Sequence, residues 1–465
     1  MALPASFIES IQNVQGFSKE AFEEVHAGGS TITSVRINPA KIFNLASRQA
    51  GTQYSIFNFQ SGKVPWSSNG FYLSERPSFT ADPLFHAGAY YVQEASSMFL
   101  EEALKQTVDL CQPMKVLDLC AAPGGKSTLI QSLITEDSLL VSNEVIKTRV
   151  SILSENITKW GAANVIVTNN DAKDFQRLPG YFDVIVVDAP CSGSGLFRKD
   201  RDAINEWSEQ NVQLCSQRQQ RILADVLPAL KQDGVLIYST CSYSEEEDEQ
   251  IADWLLEGFE VESLKFRVEA ASGIVETLSS KHQAFGYRFY PDKVKGEGFF
   301  IAAFKKSDDQ PRDTNPGKQK LKAEKLSSKE AAVIKPFLKY ADDYFFIKQK
   351  EEVIAMPSAL EPDLAVIQNS MYIKKAGVKM GAVIRNELIP DHELAVSNII
   401  NEQVCSINAD EPAALQYLRK QEFSIDTSQK GWALIKFKQL PLGWVKILPN
   451  RINNYYPKEW RILNK

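Results

Sequence analysis

Between residues 115 and 304, short apolar runs alternate with longer amphipathic stretches. KVLDL (115–119), LLVSNE (139–144), NVIVTNND (164–171), FDVIVVDAP (182–190) and GVLIYST (234–240) are brief, rich in Val, Ile and Leu, and bounded by turns. Each reads as a strand. KTRVSILSENITKWGA, the stretch around WSEQNVQLCSQRQQRILADVLPALK, and EEEDEQIADWLLEG place apolar residues at helical spacing. Strands alternating with helices predict an α/β, doubly wound, mostly parallel sheet. GYRFYPDKVKGEGFFIAAFKK (286–306) predicts a closing antiparallel strand pair, which completes the sheet by Lys306.

The flanks carry other patterns. PASFIESIQNV and KEAFEEVHAG are amphipathic, TITSVRINPAK reads as a strand, and HAGAYYVQEASSMFLEEALKQ (86–106) begins irregularly and becomes a helix. Residues 1–106 are therefore expected to form a small α/β domain, and 107–306 the main sheet domain. SDDQPRDTNPGKQKLKAEKLSSKE (307–330) is polar and almost free of aliphatics, the signature of a linker. Beyond it, YFFIKQ, EVIAMP, SMYIKK, WALIKFK and GWVKIL predict a largely β region over 331–465.

Composition narrows the class. The 465 residues are 44% apolar and 24% charged, ordinary for a globular chain of several domains. No apolar run reaches the roughly 20 residues of a membrane span. MALPASFIESIQ lacks the basic-then-apolar order of a signal peptide. Six cysteines (111, 120, 191, 215, 241, 405) form no CxxC pair, which argues against a zinc site or a disulfide framework and for a reducing cytoplasm. The net charge of −6 hides an asymmetry. Residues 305–465 hold 26 Lys and Arg against 20 Asp and Glu, while residues 1–304 hold 26 against 38. A catalytic body with an attached basic binding module has this distribution, and so does chance drift of surface charge.

The candidate chemistry lies at the strand ends, where open α/β sheets bind their ligands. CAAPGGKS has Cys120 where a P-loop needs glycine, and its Gly124 and Gly125 do not complete GxGxxG. What remains is a tight turn of small residues, Cys120, Ala121, Ala122, Pro123, Gly124, Gly125 and Lys126, that lets backbone amides approach a ligand. Glu144 ends the second strand, where a carboxylate can accept both hydroxyls of a ribose, and Asp171 ends the third, beside an adenine amine. Each alone also suits a surface acid or a helix cap. With Asp188 they form an ordered set at successive strand ends. With no phosphate loop, S-adenosylmethionine is the adenosine ligand that fits.

Cys191 in DAPCSGSG and Cys241 in YSTCSYSEEEDE follow the next two strands. Amine methyltransferases of this fold carry an Asn/Asp-Pro-Pro-aromatic motif where Asp188-Ala189-Pro190-Cys191 stands, so a thiol there points away from amine methylation. A thiolate adding to carbon 6 of cytosine would turn the ring into an enamine nucleophilic at carbon 5. The second thiol can assist the elimination. The bland alternative is two buried structural cysteines. The acidic run Glu245–Glu249 reads as a solvated helix start. The four histidines (26, 86, 282, 392) are scattered, and none is assigned to catalysis or a metal.

DLCAAPGGKS, DAPCSGSG and YSTCSYSEEEDE together resemble the signatures of the Sun-type (NSUN, RsmB/RsmF-like) RNA 5-methylcytosine methyltransferases. HAGAYYVQEASSM and RFYPDKVKGEGFFIAAFKK are similar to that family's flanking motifs. GWVKILPNRINNYYPKEWR resembles the tail of its small-subunit ribosomal RNA members. The resemblance implies a Rossmann-like class I methyltransferase sheet and methylation of cytosine carbon 5 in RNA, through a covalent cysteine–cytosine intermediate. It implies Cys241 as nucleophile and Cys191 as the release cysteine, with S-adenosylmethionine held by residues 120–126, Glu144, Asp171 and Asp188. Lys126 and Asp188 would border the base, and Arg36 would contact RNA. The C-terminal region resembles PUA-type RNA-binding barrels. For Trp444 a core role is favoured; for Tyr455 and Tyr456 core packing and base stacking are equally open. Ribosomal RNA or the small subunit is the expected partner, with transfer RNA, or a non-catalytic assembly role, as the alternatives. A cytoplasmic monomer without a metal is expected.

Overall fold

In the computed structural model, residues 3–29, 31–46, 62–307, 319–423, 425 and 427–463 are described. Ten strands form the central sheet among them. From one edge the order is Val275–Leu278, Phe285–Phe289, Phe299–Lys306, Leu230–Thr240, Phe182–Asp188, Lys115–Asp118, Leu139–Asn143, Val165–Thr168 and Ile373–Ala376. Val261–Leu264 pairs with Phe299–Lys306 as well. The five strands from Leu230–Thr240 to Val165–Thr168 run parallel. Their side chains alternate between two cores. Leu117, Val141, Ile166, Ile185 and Val187 pack on one face, and Val116, Leu140, Val167, Val184 and Val186 on the other. A sheet covered on both faces needs apolar residues at consecutive positions, which is why these segments read as unbroken apolar runs. The closing pair expected at 286–306 is present, Phe285–Phe289 against Phe299–Lys306.

The N-terminal region pairs Gly70–Leu73, Thr33–Ile37 and Tyr90–Val92 in an antiparallel sheet, with helices Ala5–Ile11, Lys19–Ala27 and Pro39–Ala46. Arg36 is not an RNA contact. It is 1% exposed, and its guanidinium donates to Gln93 Oε1, Thr128 Oγ1 and the Gly125 carbonyl over the Trp160 ring. It fixes this domain to the helix that follows the glycine loop.

The sheet is not complete at Lys306. Ile373–Ala376 pairs antiparallel with Val165–Thr168 and covers what would be a bare edge. The same stretch of chain builds a second, five-stranded antiparallel sheet from Glu324–Lys325, Tyr344–Gln349, Glu352–Pro357, Val378–Ile384 and Glu387–Pro390. Structure therefore starts inside the expected linker. Glu324–Lys325 is a strand, and Ser327 with Glu330 forms a capping box on helix Ser328–Ile334. Residues 308–318 of that linker lie outside the described residues. A four-stranded sheet (Ser406–Ala409, Gly431–Phe437, Leu440–Leu448, Arg451–Asn454) ends the chain. It shares a core with the N-terminal domain, where Leu84 and Tyr90 meet Tyr417, Leu418 and Leu440. Trp444 and Tyr456 are core residues, while Tyr455 is 41% exposed.

Candidate active site

The carboxyl ends of the five parallel strands emerge along one edge and bring the predicted residues to it. Asp118 ends the first strand. The loop that follows passes Cys120 and enters helix Gly125–Gln131 through Gly124, whose φ of +118° favours glycine. Its carbonyls are tied down by the next helix: Arg149 Nη2 donates to Ala122 O at 2.6 Å and Asn156 Nδ2 to Pro123 O at 2.8 Å. Asn143 closes the loop from the second strand, accepting from Ala121 N at 2.8 Å and donating to Leu119 O at 3.1 Å.

Glu144 is buried; Oε1 accepts from Ile146 N at 2.9 Å, and Oε2 accepts no hydrogen bond, with Arg149 Nη1 at 3.4 Å. Asp171 does cap a short helix, accepting from Lys173 N at 3.2 Å with Asp174 returning the bond. Two asparagines join the loops of these acids to the appended strand. Asn169 Nδ2 donates to Glu144 O and Val145 O, and the Asn170 amide exchanges two bonds with the Tyr372 backbone. Asp118, not singled out by its sequence, is fully buried. Oδ2 accepts from Ser127 Oγ at 2.6 Å, Oδ1 accepts no hydrogen bond, and burial pushes the carboxyl up to about 7.

Asp188 ends the fourth strand. Its Oδ2 lies 2.7 Å from Lys126 Nζ, and its Oδ1 accepts from Ser239 Oγ at 2.8 Å. Lys126 also sits over the Phe299 ring. The two thiols meet: Cys191 Sγ and Cys241 Sγ are 3.0 Å apart. Gly195 of the CSGSG motif makes this possible, because its amide donates to Cys241 O at 2.7 Å and a Cβ there would fall at the same distance from that oxygen. The neighbouring sulfur, burial and Glu247 all push the Cys191 thiol well above its ordinary range.

The acidic run after Cys241 is solvated only in part, at Glu245 and Glu246, which are half-buried. Glu247 and Asp248 are fully buried and Glu249 nearly so. Arg288 pairs with Asp248 at 3.1 Å and Glu249 at 2.5 Å, and Asp248 accepts from Thr240 Oγ1 at 2.6 Å. His86 is structural, its Nε2 2.9 Å from Thr80 O with burial lowering its pKa to about 4. Among the described residues no group of three His, Cys, Asp or Glu side chains is placed to hold a metal, and no helix is long and apolar enough to cross a membrane.

Three family models match the chain: 16S rRNA methyltransferase RsmB/F over residues 106–305, the N-terminal domain of 16S rRNA methyltransferase RsmF over 3–95, and the methyltransferase RsmF PUA domain over 405–462. Ribosomal RNA small subunit methyltransferase F of Vibrio vulnificus is 30% identical across 98% of this chain and 97% of its own. The protein of that name from Pectobacterium atrosepticum is 28% identical over 98% and 96%. A solved methyltransferase homolog from Pyrococcus horikoshii is 30% identical, with a TM-score of 0.51 over 65% of this chain and 100% of its own. Matched end to end in this way, with the two thiols at the sheet's carboxyl edge, the chain belongs to the RsmF family of 16S rRNA methyltransferases.

Proposed function

We propose that the protein methylates carbon 5 of cytosine in small-subunit ribosomal RNA, using S-adenosylmethionine and a covalent bond from Cys241. The observation that carries this reading is the 3.0 Å approach of the two sulfurs at adjacent strand ends, beside the Lys126–Asp188 pair. The donor set suits the cofactor. Asp118 Oδ1 and Glu144 Oε2 are buried acceptors without hydrogen bonds, a match for ammonium and hydroxyl donors. Residues 120–126, Glu144, Asp171 and Asp188 would hold it, and when bound it supplies an electrophilic methyl group.

The chain's own residues then do the following. Lys126 and Asp188 border the cytosine and orient its ring. The Cys241 thiolate forms a bond to carbon 6, and the displaced electron pair makes carbon 5 nucleophilic. Once carbon 5 carries the methyl group, the Cys191 thiolate takes the remaining carbon-5 proton. That electron pair restores the ring double bond, the bond from carbon 6 to sulfur breaks, and Cys241 leaves as thiolate. Bonding of Cys241 to carbon removes the neighbouring charge that had raised Cys191, so the second thiol ionises more easily in the adduct than before it. The basic C-terminal region supports an RNA-docking role: Tyr455 is exposed against Trp432, with Lys446 over the same ring. Bisulfite sequencing of ribosomal RNA from a strain lacking the gene should show one or more small-subunit cytosines left unmethylated. An unchanged pattern would reject the assignment.

A further inference from the structure

Buried carboxylates are rare unless several donors hold them, and Glu247 has four. Its Oε1 accepts from Ser192 N at 2.8 Å and Gln219 Nε2 at 3.1 Å, and its Oε2 from Ser192 Oγ at 2.5 Å and Ser242 Oγ at 2.7 Å. Ser192 follows Cys191 directly, and Ser242 follows Cys241. One carboxylate thus bridges the two thiol-bearing loops. Glu247 is itself held in place, since its carbonyl accepts from Tyr238 Oη at 2.6 Å and its amide donates to Ser244 O at 3.1 Å.

The two loops depend on this bridge unequally. Farther along, the loops are tied directly to each other, by Tyr243 N to Ser194 Oγ at 3.0 Å and Gly195 N to Cys241 O at 2.7 Å, but beside the cysteines the Cys241 loop has anchors of its own: Ser242 N donates to Thr240 Oγ1 at 3.1 Å, and Arg288 Nη1 to Tyr243 O at 3.0 Å. On the other side, the Ser192 amide and hydroxyl both donate to Glu247, and the hydroxyl's other neighbour, Ser242 Oγ at 3.4 Å, is held by the same carboxylate. Gln219, which holds Pro190 O at 3.1 Å, bonds the same carboxylate.

We infer that Glu247 is a positioning residue for the release half of the reaction: through Ser192 it aims the Cys191 sulfur at the carbon-5 proton, while attack by Cys241 depends on it far less. This rests on the two-thiol reading above. Removing the carboxylate leaves Cys241 able to bond carbon 6 but takes from Ser192, next to Cys191, the acceptor of both its amide and its hydroxyl, so the Cys191 sulfur can shift while Ser194 and Gly195 stay tied to the Cys241 loop. A displacement near 1 Å can cost about a hundredfold in a proton transfer. Glutamine keeps the shape, and serine hydroxyls can rotate to meet its amide, so Glu247→Gln retains the bridge in weaker form.

The test compares wild type, Glu247→Ala, Glu247→Gln and Cys191→Ala on small ribosomal subunits from a strain lacking the gene, with S-adenosylmethionine. Expected for Glu247→Ala are a kcat lowered roughly 10- to 100-fold, KM values for cofactor and subunits within about twofold of wild type, and an RNA-linked protein band on denaturing gels. Glu247→Gln should return to within several-fold of wild-type kcat and lose the band. Ser192→Ala serves as the milder variant if Glu247→Ala fails to fold, and it should also accumulate adduct. If Cys191→Ala accumulates adduct while Glu247→Ala or Ser192→Ala turns over slowly without it, the inference alone is overturned. Wild-type turnover in Glu247→Ala overturns it too. If Cys191→Ala gives no adduct either, the two-thiol reading falls with it.

Discussion

Replacing Lys41 with methionine should loosen the whole assembly rather than one domain. Lys41 is buried on helix Pro39–Ala46, and its ammonium donates to Ala87 O at 2.5 Å, Lys159 O at 2.6 Å and Val396 O at 2.8 Å. These carbonyls end three helices, Pro83–His86, Lys147–Trp160 and His392–Val396, from the N-terminal domain, the central domain and the appended region. A helix's last carbonyls lack intrahelical partners and carry the negative end of its dipole, so three such ends attract the ammonium, while burial works against the charge and lowers the Lys41 pKa to about 7. A hydrogen bond to a charged group contributes about 1.5–3 kcal/mol. Methionine restores part of this by removing the cost of burying the charge, leaving a loss of roughly 3 kcal/mol. At about 2–4 °C per kcal/mol for domains of this size, the melting temperature should fall on the order of 6–12 °C. Scanning calorimetry measures this, and the transition should also split as the domains uncouple. A melting curve within a degree of wild type, with one transition, would refute the account of Lys41 as a shared anchor.

Other consequences are open to measurement. Gly88→Ala places a Cβ 1.9 Å from Lys159 O, at a φ of +68°, so calorimetry should show a drop at least as large as for Lys41→Met, or no folded protein. Glu144→Ala removes a buried acceptor worth about 1–3 kcal/mol, so titration calorimetry should show S-adenosylmethionine binding weakened roughly tenfold. Asp118, raised to about 7 in the folded chain, keeps a proton there that the unfolded chain sheds. Its contribution to stability should therefore fall as pH rises from about 4 to 7, and Asp118→Asn should flatten that slope in melting temperatures taken across the range. A chain ending at Lys306 loses the strand on Val165–Thr168 and the Tyr372 contacts of Asn170, so it should bind S-adenosylmethionine more weakly than the full chain, not equally.

The central sheet was legible because burial on both faces forces unbroken apolar runs, and strand ends then order the acids and thiols along one edge. What the sequence concealed depends on partners far away in the chain. A run of five acids looks solvated until Arg288 and the serines beside both cysteines fold over its last three, Glu247, Asp248 and Glu249. Arg36 sits in a strand whose pattern says nothing of the helix its guanidinium reaches 89 residues later. SMYIKK reads as a β run, but nothing in it says that Ile373–Ala376 pairs with Val165–Thr168 of the central sheet, so the sheet was expected to close seventy residues early. The thiols were readable because each follows its own strand, Cys191 opening a turn of serine and glycine and Cys241 one that leads into the acidic run. Their common support, Glu247, was not: it stands in the Cys241 motif itself, but its bonds to Ser192, 55 residues back, exist only once the two loops meet.

The account's central claim is the division of work between the two sulfurs. Cys241→Ala and Cys191→Ala, each incubated with small ribosomal subunits and S-adenosylmethionine and run on denaturing gels, test it most directly. Cys241→Ala should give no methylation and no RNA-linked protein, while Cys191→Ala should give an adduct that persists because elimination is blocked. A stable adduct from Cys241→Ala with none from Cys191→Ala would contradict the assignment.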